Sequence, residues 1–216
     1  MTDLAPLLST HNGTQTWIFE QLSSAQRKKR KGTGTVWGLC WALSLEWVRS
    51  EKTGNPLMNK IGSEGNLNDV VYKQIINNQK TLNTSLAYKV EEGAIANMGL
   101  ACNKLNTGKY SKERKSEMNE SFSTQMRSVI GRVADQKYGI IDIYSRKIIN
   151  VTPSHVMAIS THGGIFKFFD PVKGQFEFNN KSNFMNFIAA YMDKMYNGVI
   201  MNFQKDFRVR QFSASN

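Results

Sequence analysis

The sequence predicts an α+β domain in which a helical half precedes an antiparallel β-sheet. Helical spacing of apolar residues dominates as far as residue 135, and short runs of β-branched and aromatic residues separated by turn signals follow from Tyr138. The 216 residues are 40% hydrophobic, which is enough for one core, and no internal repeat or low-complexity linker divides the chain. We therefore expect one domain over residues 14–216, preceded by a flexible leader over residues 1–13.

The predicted helices follow apolar residues at helical spacing. The first ends in a basic run, because cations suit the C-terminus of a helix. The second begins at Cys40 and ends near Lys52, where Gly54-Asn55-Pro56 stops it. The predicted helices span residues 14–30, 40–52, 67–79, 84–104 and 117–135.

The pattern in the second half of the chain is typical of strands. Each run carries β-branched and aromatic residues between turn residues. Residues 181–196 alone interrupt the strands with helical spacing. The predicted strands span residues 138–144, 147–151, 155–160, 165–170, 175–178, 199–203 and 207–212.

Cys40 lies where a nucleophile would be activated. It follows Gly38 and Leu39 and opens the second predicted helix. The unpaired N–H groups and the positive dipole end of a first helical turn favour the thiolate, which is the nucleophilic form of cysteine. The ordinary alternative is a buried cysteine that acts as a small hydrophobic residue, and Cys102 is best interpreted that way.

His155 and Asp170 are the two further groups that a thiol hydrolase needs. An imidazole takes the thiol proton and later protonates the leaving group, while a carboxylate holds the productive tautomer. The long interval from Cys40 to His155 and the short one to Asp170 fit a nucleophile in the helical half and two groups on neighbouring strands. Each residue alone also has a structural interpretation, as a strand histidine and as a turn-opening aspartate.

These segments resemble the three motifs of the YopT/AvrPphB family of papain-like cysteine proteases, which are bacterial effectors delivered into host cells. The resemblance implies that Cys40 is the nucleophile, His155 the general base and acid, and Asp170 the orienting residue. It also implies a papain-like fold, with a helical lobe packed on an antiparallel β-sheet. The motifs are Gly38-x-Cys40-x-x-Leu43-x-x-x-Trp47, His155-x-x-Ala158-Ile159 and Phe169-Asp170-Pro171-x-x-Gly174-x-Phe176-x-Phe178.

The oxyanion hole departs from the papain-like pattern. Papain-like enzymes usually have Asn or Gln five or six residues before the cysteine, where this chain has Thr35 and Gly34. The expected donors are therefore the Cys40 backbone amide and either the Thr35 hydroxyl or a nearby amide. Since the loss of one donor costs about a hundredfold or more in turnover, catalytic efficiency depends on this substitution.

The predicted function is that of a cysteine protease effector that cleaves a protein in the cytosol of a target cell. The same triad could deamidate a glutamine or transfer it to an amine, and an antibacterial amidase that cuts peptidoglycan peptides would use the same cysteine and histidine. A basic binding protein without enzymatic activity would need none of the three residues. A secretion chaperone would accompany a host effector, whereas an immunity protein would accompany an antibacterial amidase.

Composition favours a reducing compartment and gives no support to a metal site or a cofactor. Two cysteines provide no disulfide framework, and the three histidines occur without CxxC, HExxH or calcium-loop patterns. The first residues do not resemble a secretory signal, and no apolar run reaches the length of a membrane span. Export by a general secretory route is therefore disfavoured, and the family resemblance implies delivery by a specialised bacterial secretion system.

The net charge of +11 favours acidic partners or anionic membrane surfaces. A solvated helix end is the simplest interpretation of the densest basic run. If this run is functional, it would dock an acidic protein or an inner-leaflet lipid surface, at about 1 kcal/mol for each nearby cation. Nucleic acid is not an expected partner, because no nucleic-acid-binding motif accompanies the run. The run consists of Arg27, Lys28, Lys29, Arg30 and Lys31.

Overall fold

The computed structural model describes residues 3–21, 23, 31, 38–63, 66–84, 102–108, 127, 131, 138–144, 154–196 and 206–212. The helices with described bounds are α1 (Ala5–Thr10), α2 (Cys40–Lys52), α3 (Leu57–Ile61), α4 (Asp69–Thr84) and α5 (Lys181–Tyr196). The strands are β1 (Gly13–Trp17), β2 (Gly62–Ser63), β3 (Asn66–Leu67), β4 (Cys102–Gly108), β5 (Tyr138–Tyr144), β6 (Ser154–Ser160), β7 (Phe166–Asp170), β8 (Gly174–Phe178) and β9 (Asp206–Phe212).

Seven strands form one sheet in the order β1-β8-β7-β6-β5-β9-β4, and all neighbours in it run antiparallel. Strands β5 to β8 are neighbours both in the chain and in the sheet, as expected for strands joined by short connections. A three-residue turn, His162–Gly164, lies between β6 and β7. The strands β2 and β3 form a separate antiparallel pair.

Helices cover both faces of this sheet. Side chains alternate along each strand, so that on β6 Val156 and Ala158 contribute to one buried cluster and Met157 and Ile159 to the other. The first cluster includes the apolar side chains of α2 and α4, and the second those of α5. Sequence and structure therefore agree on helices packed against an antiparallel sheet.

Helix α2 is fixed against the sheet by both apolar and polar contacts. The Trp47 ring stacks on Phe169 with centroids 5.6 Å apart, and its Nε1 donates to Gln175 Oε1 at 2.8 Å. The Ser44 hydroxyl donates to the carbonyl oxygen of Val156 at 3.0 Å. These contacts to β6, β7 and β8 hold the start of α2 in a defined position beside the ends of β6 and β7.

Several elements form where the sequence predicted them. Helices α2 and α5 have the predicted bounds, as does β5, and β6 to β9 differ from prediction by at most one residue at their starts. Helix α4 begins at Asp69 rather than at residue 67. The Asn68 side chain accepts from the N–H groups of Val70 and Val71 at 3.1 and 3.3 Å, and this cap sets the start of the helix.

Two helix predictions are wrong where the structure describes them. Residues 14–17 of the predicted first helix belong to β1, in which exposed residues alternate with half-buried or buried ones and which pairs with β8. The last residues of the predicted helix 84–104 belong to β4, which pairs with β9. In both segments, hydrogen-bonded pairing with a distant strand outweighs the local preference for a helix.

The N-terminal segment also differs from the expected flexible leader over residues 1–13. Residues Ala5–Thr10 form α1, with Pro6 in its first turn, and Leu4 is buried in the cluster beneath α5. Lys194 on α5 donates to the carbonyl oxygen of Asp3 at 2.6 Å. The segment is thus packed against α5.

Several predicted elements lie outside the described residues, wholly or in large part. They are the later part of the helix 14–30, most of the helices 84–104 and 117–135, and the strands 147–151 and 199–203; Arg127 and Gly131 are helical, as predicted. Among the described helices, none combines the length and the apolar character needed to cross a membrane.

Candidate active site

Cys40, His155 and Asp170 come together where α2 meets the ends of β6 and β7. Cys40 is the first residue of α2 and is half-buried, His155 is the second residue of β6, and Asp170 is the last residue of β7. His155 Nε2 lies 2.9 Å from Asp170 Oδ1, and Cys40 lies near enough to His155 to contribute to raising the pKa of the imidazole. Because Nε2 is directed towards Asp170, Nδ1 is the ring nitrogen on the Cys40 side.

The register of β6 and β7 explains the short interval between His155 and Asp170. Ala158 pairs with Phe169, so the next position along the ladder sets Met157 beside Asp170. His155 lies two residues from Met157 and therefore on the same face of the sheet. Diagonal neighbours on one face of adjacent strands are within side-chain reach of each other, and the hydrogen bond follows.

The Asp170 carboxylate is fully buried and surrounded by hydrogen-bond donors. The hydroxyls of Tyr191 and Tyr196 donate to Oδ2 at 2.6 and 2.5 Å, and the N–H of Val172 donates to Oδ1 at 2.8 Å. Burial alone would raise the pKa of Asp170, but His155 and the two tyrosine hydroxyls hold it below its usual value. Asp170 therefore remains ionised beside the imidazole.

His155 is held as an imidazolium by its two partners. Burial alone would lower the pKa of His155, but the Asp170 carboxylate and then Cys40 raise it to about 10. The Tyr196 ring stacks on the imidazole with centroids 5.2 Å apart and an interplanar angle of 28°. At neutral pH this arrangement provides a protonated, fixed imidazole beside the Cys40 thiol.

Two glutamine side chains from other elements hold the start of α2. The preceding residue, Leu39, has no side-chain oxygen for an N-cap. Instead, the Leu39 N–H donates to Gln21 Oε1 at 2.7 Å, and the Ala42 N–H donates to Gln79 Oε1 at 3.0 Å. Both glutamine side chains are buried.

Sequence reasoning missed four residues of this site: Gln21, Gln79, Tyr191 and Tyr196. The two tyrosines belong to the buried side of α5, and only their apolar character was visible in the sequence. Of the predicted oxyanion donors, Cys40 is described, whereas Thr35 lies outside the described residues. Arg27 to Arg30 of the basic run also lie outside them, and Lys31 is exposed.

Replacing His155 with glutamine is expected to slow alkylation of Cys40 by iodoacetamide about tenfold or more near pH 6. The imidazolium beside Cys40 is lost, and a neighbouring cation favours the reactive thiolate; interactions of this kind with charged groups contribute about 1.5–3 kcal/mol. The rate is measured by mass spectrometry of the Cys40 peptide, with His162→Gln as the control. Equal rates in wild type and His155→Gln would show that His155 does not stabilise the thiolate.

Comparison with known proteins places this chain in a family. Residues 7–215 match the peptidase C58 family, described as Yersinia/Haemophilus virulence surface antigen. The fold is similar to that of the avirulence protein AvrPphB of Pseudomonas, with a TM-score of 0.59, 18% sequence identity, and coverage of 81% of this chain and 91% of that one. No curated protein matches the sequence.

Two further solved structures are more distant. PatoxP, a cysteine protease-like domain of the Photorhabdus asymbiotica toxin PaTox, gives a TM-score of 0.45 at 13% identity and covers 99% of this chain and 59% of that one. The YopT domain of the Pasteurella multocida PfhB2 toxin gives a TM-score of 0.32 at 17% identity, covering 91% of this chain and 93% of that one.

The similarity to AvrPphB confirms the predicted papain-like α+β fold. The family match extends over nearly the whole chain and confirms the resemblance that the three motifs indicated. The chain belongs to the C58 family of cysteine peptidases, the Yersinia/Haemophilus virulence surface antigen family.

Proposed function

We propose that this protein is a virulence effector that cleaves a protein substrate in the cytosol of a target cell, with Cys40, His155 and Asp170 as its catalytic triad. The observation that carries the proposal is the hydrogen bond from His155 to the buried Asp170 carboxylate, beside Cys40 at the start of α2. A thiol, a charged imidazole and an orienting carboxylate in this order are the parts of a thiol acyl-transfer site.

In the first half of the reaction the Cys40 thiolate attacks the carbonyl carbon of a peptide bond. A C–S bond forms, and the carbonyl π electrons move to oxygen to give a tetrahedral oxyanion. When the oxyanion collapses, the C–N bond breaks and the His155 imidazolium gives its proton to the leaving amine. The products of this half are a free amine and an acyl group on Cys40.

In the second half neutral His155 takes a proton from water, and the resulting hydroxide attacks the acyl carbon. Collapse of the second tetrahedral oxyanion breaks the C–S bond and returns the Cys40 thiolate beside the His155 imidazolium. Asp170 stays ionised throughout and holds the imidazole ring. The position of Asp170 depends on Tyr191 and Tyr196, whose hydroxyls donate to its second carboxylate oxygen, Oδ2.

The setting of this activity is proposed from the family and the charge of the chain. Membership of a virulence family supports export by a specialised bacterial secretion system, with a secretion chaperone as a candidate partner. The net charge of +11 supports docking to an acidic protein or an anionic membrane surface, which would concentrate the enzyme near its substrate.

The test incubates a lysate of eukaryotic cells with wild type or with Cys40→Ala and labels protein N-termini for mass spectrometry. We expect new N-termini, at one or a few sites, that appear with wild type alone. Deamidated or amine-modified glutamines without new N-termini would instead establish a deamidase or a transglutaminase and would contradict proteolysis.

A further inference from the structure

The side chains of His155 and Asp170 project from the face of the sheet that α5 covers. On β6, His155 alternates with Val156, which packs with α2, and shares its face with Met157, which packs with α5. Cys40 begins α2 on the other face of the sheet. The imidazole must therefore turn from the α5 side towards the start of α2 to reach the thiol.

The hydrogen bond to Asp170 does not by itself fix the plane of the imidazole. His155 Nε2 lies 2.9 Å from Asp170 Oδ1, so this bond holds one atom of the ring. The torsion that turns a histidine ring about its bond to Cβ is broad, and the ring can tilt about the bonded nitrogen. Because each tilt moves Nδ1, the nitrogen on the Cys40 side, proton transfer with the thiol requires a second contact to the ring.

Tyr196, the last residue of α5, provides a contact of this kind. Its ring lies against the imidazole of His155, with centroids 5.2 Å apart and an angle of 28° between the planes. Its hydroxyl donates to Asp170 Oδ2 at 2.5 Å. Burial, then the Asp170 carboxylate, then Cys40 raise the pKa of Tyr196 well above its usual value. Tyr196 thus adjoins all three residues of the proposed triad.

Tyr191 makes a similar hydrogen bond but packs its ring elsewhere. Its hydroxyl donates to the same oxygen of Asp170, at 2.6 Å. Its ring lies edge to face with Phe168, with centroids 5.1 Å apart, and 5.5 Å from the ring of Phe187. The carboxylate is thus shared by two tyrosine hydroxyls, and the ring of Tyr196 is the one that faces the imidazole.

We propose that Tyr196 is a positioning residue whose ring holds the plane of the His155 imidazole, so that Nδ1 stays directed at Cys40. The proposal rests on the function proposed above. Stacked rings restrict each other's tilt, and the electron-rich face of a phenol ring attracts a cation such as the imidazolium. Since a misplacement of about 1 Å can cost about a hundredfold in rate, a fixed ring plane matters for proton transfer.

The experiment is a double-mutant cycle on the reactivity of Cys40. The rate of its alkylation by iodoacetamide is measured near pH 6 on the full chain in wild type, Tyr196→Leu, His155→Gln and the double variant. If Tyr196 acts through His155, loss of its ring matters only while the imidazole is present. We expect Tyr196→Leu to slow alkylation about fivefold in the wild-type background and less than about twofold in the His155→Gln background.

Three further variants test which part of Tyr196 is required. Tyr196→Phe keeps the ring and is expected to retain most of the wild-type rate, because it loses only the hydrogen bond to Asp170. Tyr196→Met fills the space with a flexible side chain and no ring, and it is expected to behave like Tyr196→Leu.

The matched control is Phe184→Leu, which replaces another buried aromatic residue of α5 with leucine. Phe184 packs against Phe166 and Phe178, away from the triad. Because sites without shared partners act independently, we expect this variant to keep the alkylation rate within about twofold of wild type.

Equal slowing by Tyr196→Leu in both backgrounds would overturn the proposal, because a general disturbance of the site does not depend on His155. Slowing by Tyr196→Phe as large as by Tyr196→Leu would also overturn the role of the ring. The lysate experiment tests proteolysis separately. New N-termini that depend on Cys40, without coupling between Tyr196 and His155, would overturn the role of Tyr196 alone. Coupling without new N-termini would support the role of Tyr196 and contradict proteolysis.

Discussion

Alanine at His155 is expected to lower turnover of the natural substrate by about 10³-fold or more, whereas alanine at His162 leaves turnover within about twofold. Acid–base catalysis by a positioned group contributes about 10²–10⁴-fold, and His155 lies beside Cys40 as an imidazolium. His162 lies in the turn between β6 and β7. Initial rates of cleavage at the sites found in the lysate experiment provide the measurement.

Two further variants make this expectation specific. Cys40→Ala should be as inactive as the double variant Cys40→Ala/His155→Ala, because residues that act as a unit are not additive. His155→Gln guards against loss of folding, since it keeps a polar side chain beside the buried Asp170 carboxylate. Wild-type turnover in His155→Ala together with its loss in His162→Ala would place the general base in the turn.

The elements that sequence analysis placed correctly have their signal within one short window. Helix α2 begins at Cys40 after a glycine of positive φ and ends before Gly54, which also has positive φ. Helix α5 shows helical spacing throughout, and β5 to β8 carry β-branched and aromatic runs between turns. In these segments local preference and the tertiary environment favour the same conformation.

The strands β1 and β4 were missed because their signal is not local. Thr14 and Gln15 form a strand through pairing with Glu177 and Phe176, and β4 is paired with β9 at the other edge of the sheet. Short polar segments of this kind have little intrinsic preference, so the partner strand decides the conformation. A pattern of helical spacing in an isolated sequence cannot reveal such a partner.

The residues of the candidate site also differ in whether the sequence near them carries a signal. The triad residues were predictable because each has a recognisable set of neighbours in the chain. Gln21, Gln79 and Tyr196 were not, because each reaches the site from a remote segment through a side-chain hydrogen bond. Counting back from Cys40 led to Thr35, which lies outside the described residues, whereas the two glutamines at the helix start come from segments that no count along the chain would reach.

Asparagine at Asp170 is expected to lower the free energy of unfolding by about 3 kcal/mol or more near pH 6, because breaking a buried charged pair has effects of this size. The new amide would present a donor to a pocket whose other groups are donors. The hydroxyls of Tyr191 and Tyr196 and the imidazolium of His155 all point at the present carboxylate. Urea unfolding of wild type and Asp170→Asn measures the difference.

The difference in free energy of unfolding between wild type and Asp170→Asn should decrease in alkaline solution. The pKa of His155 rises from 6.5 to about 10 on folding, so its contribution is fully present below pH 6.5 and is lost as the pH rises towards 10. The lowered pKa of Asp170 acts at the other end, where its contribution is present above 3.8 and is lost as the pH falls below that value. The difference between wild type and Asp170→Asn should therefore be largest between these limits and decline in alkaline solution.

Two kinds of control separate the effect of the Asp170–His155 pair from the effects of other groups around it. Tyr191→Phe and Tyr196→Phe each remove one donor from Asp170 Oδ2 and should cost about 1–2 kcal/mol while keeping the alkaline decline, because the pair itself remains. Asp193→Asn changes an exposed carboxylate on the same helix and should stay within about 0.5 kcal/mol of wild type at every pH. A difference between wild type and Asp170→Asn that is constant from pH 5 to pH 10 would mean that the fold does not hold His155 as an imidazolium.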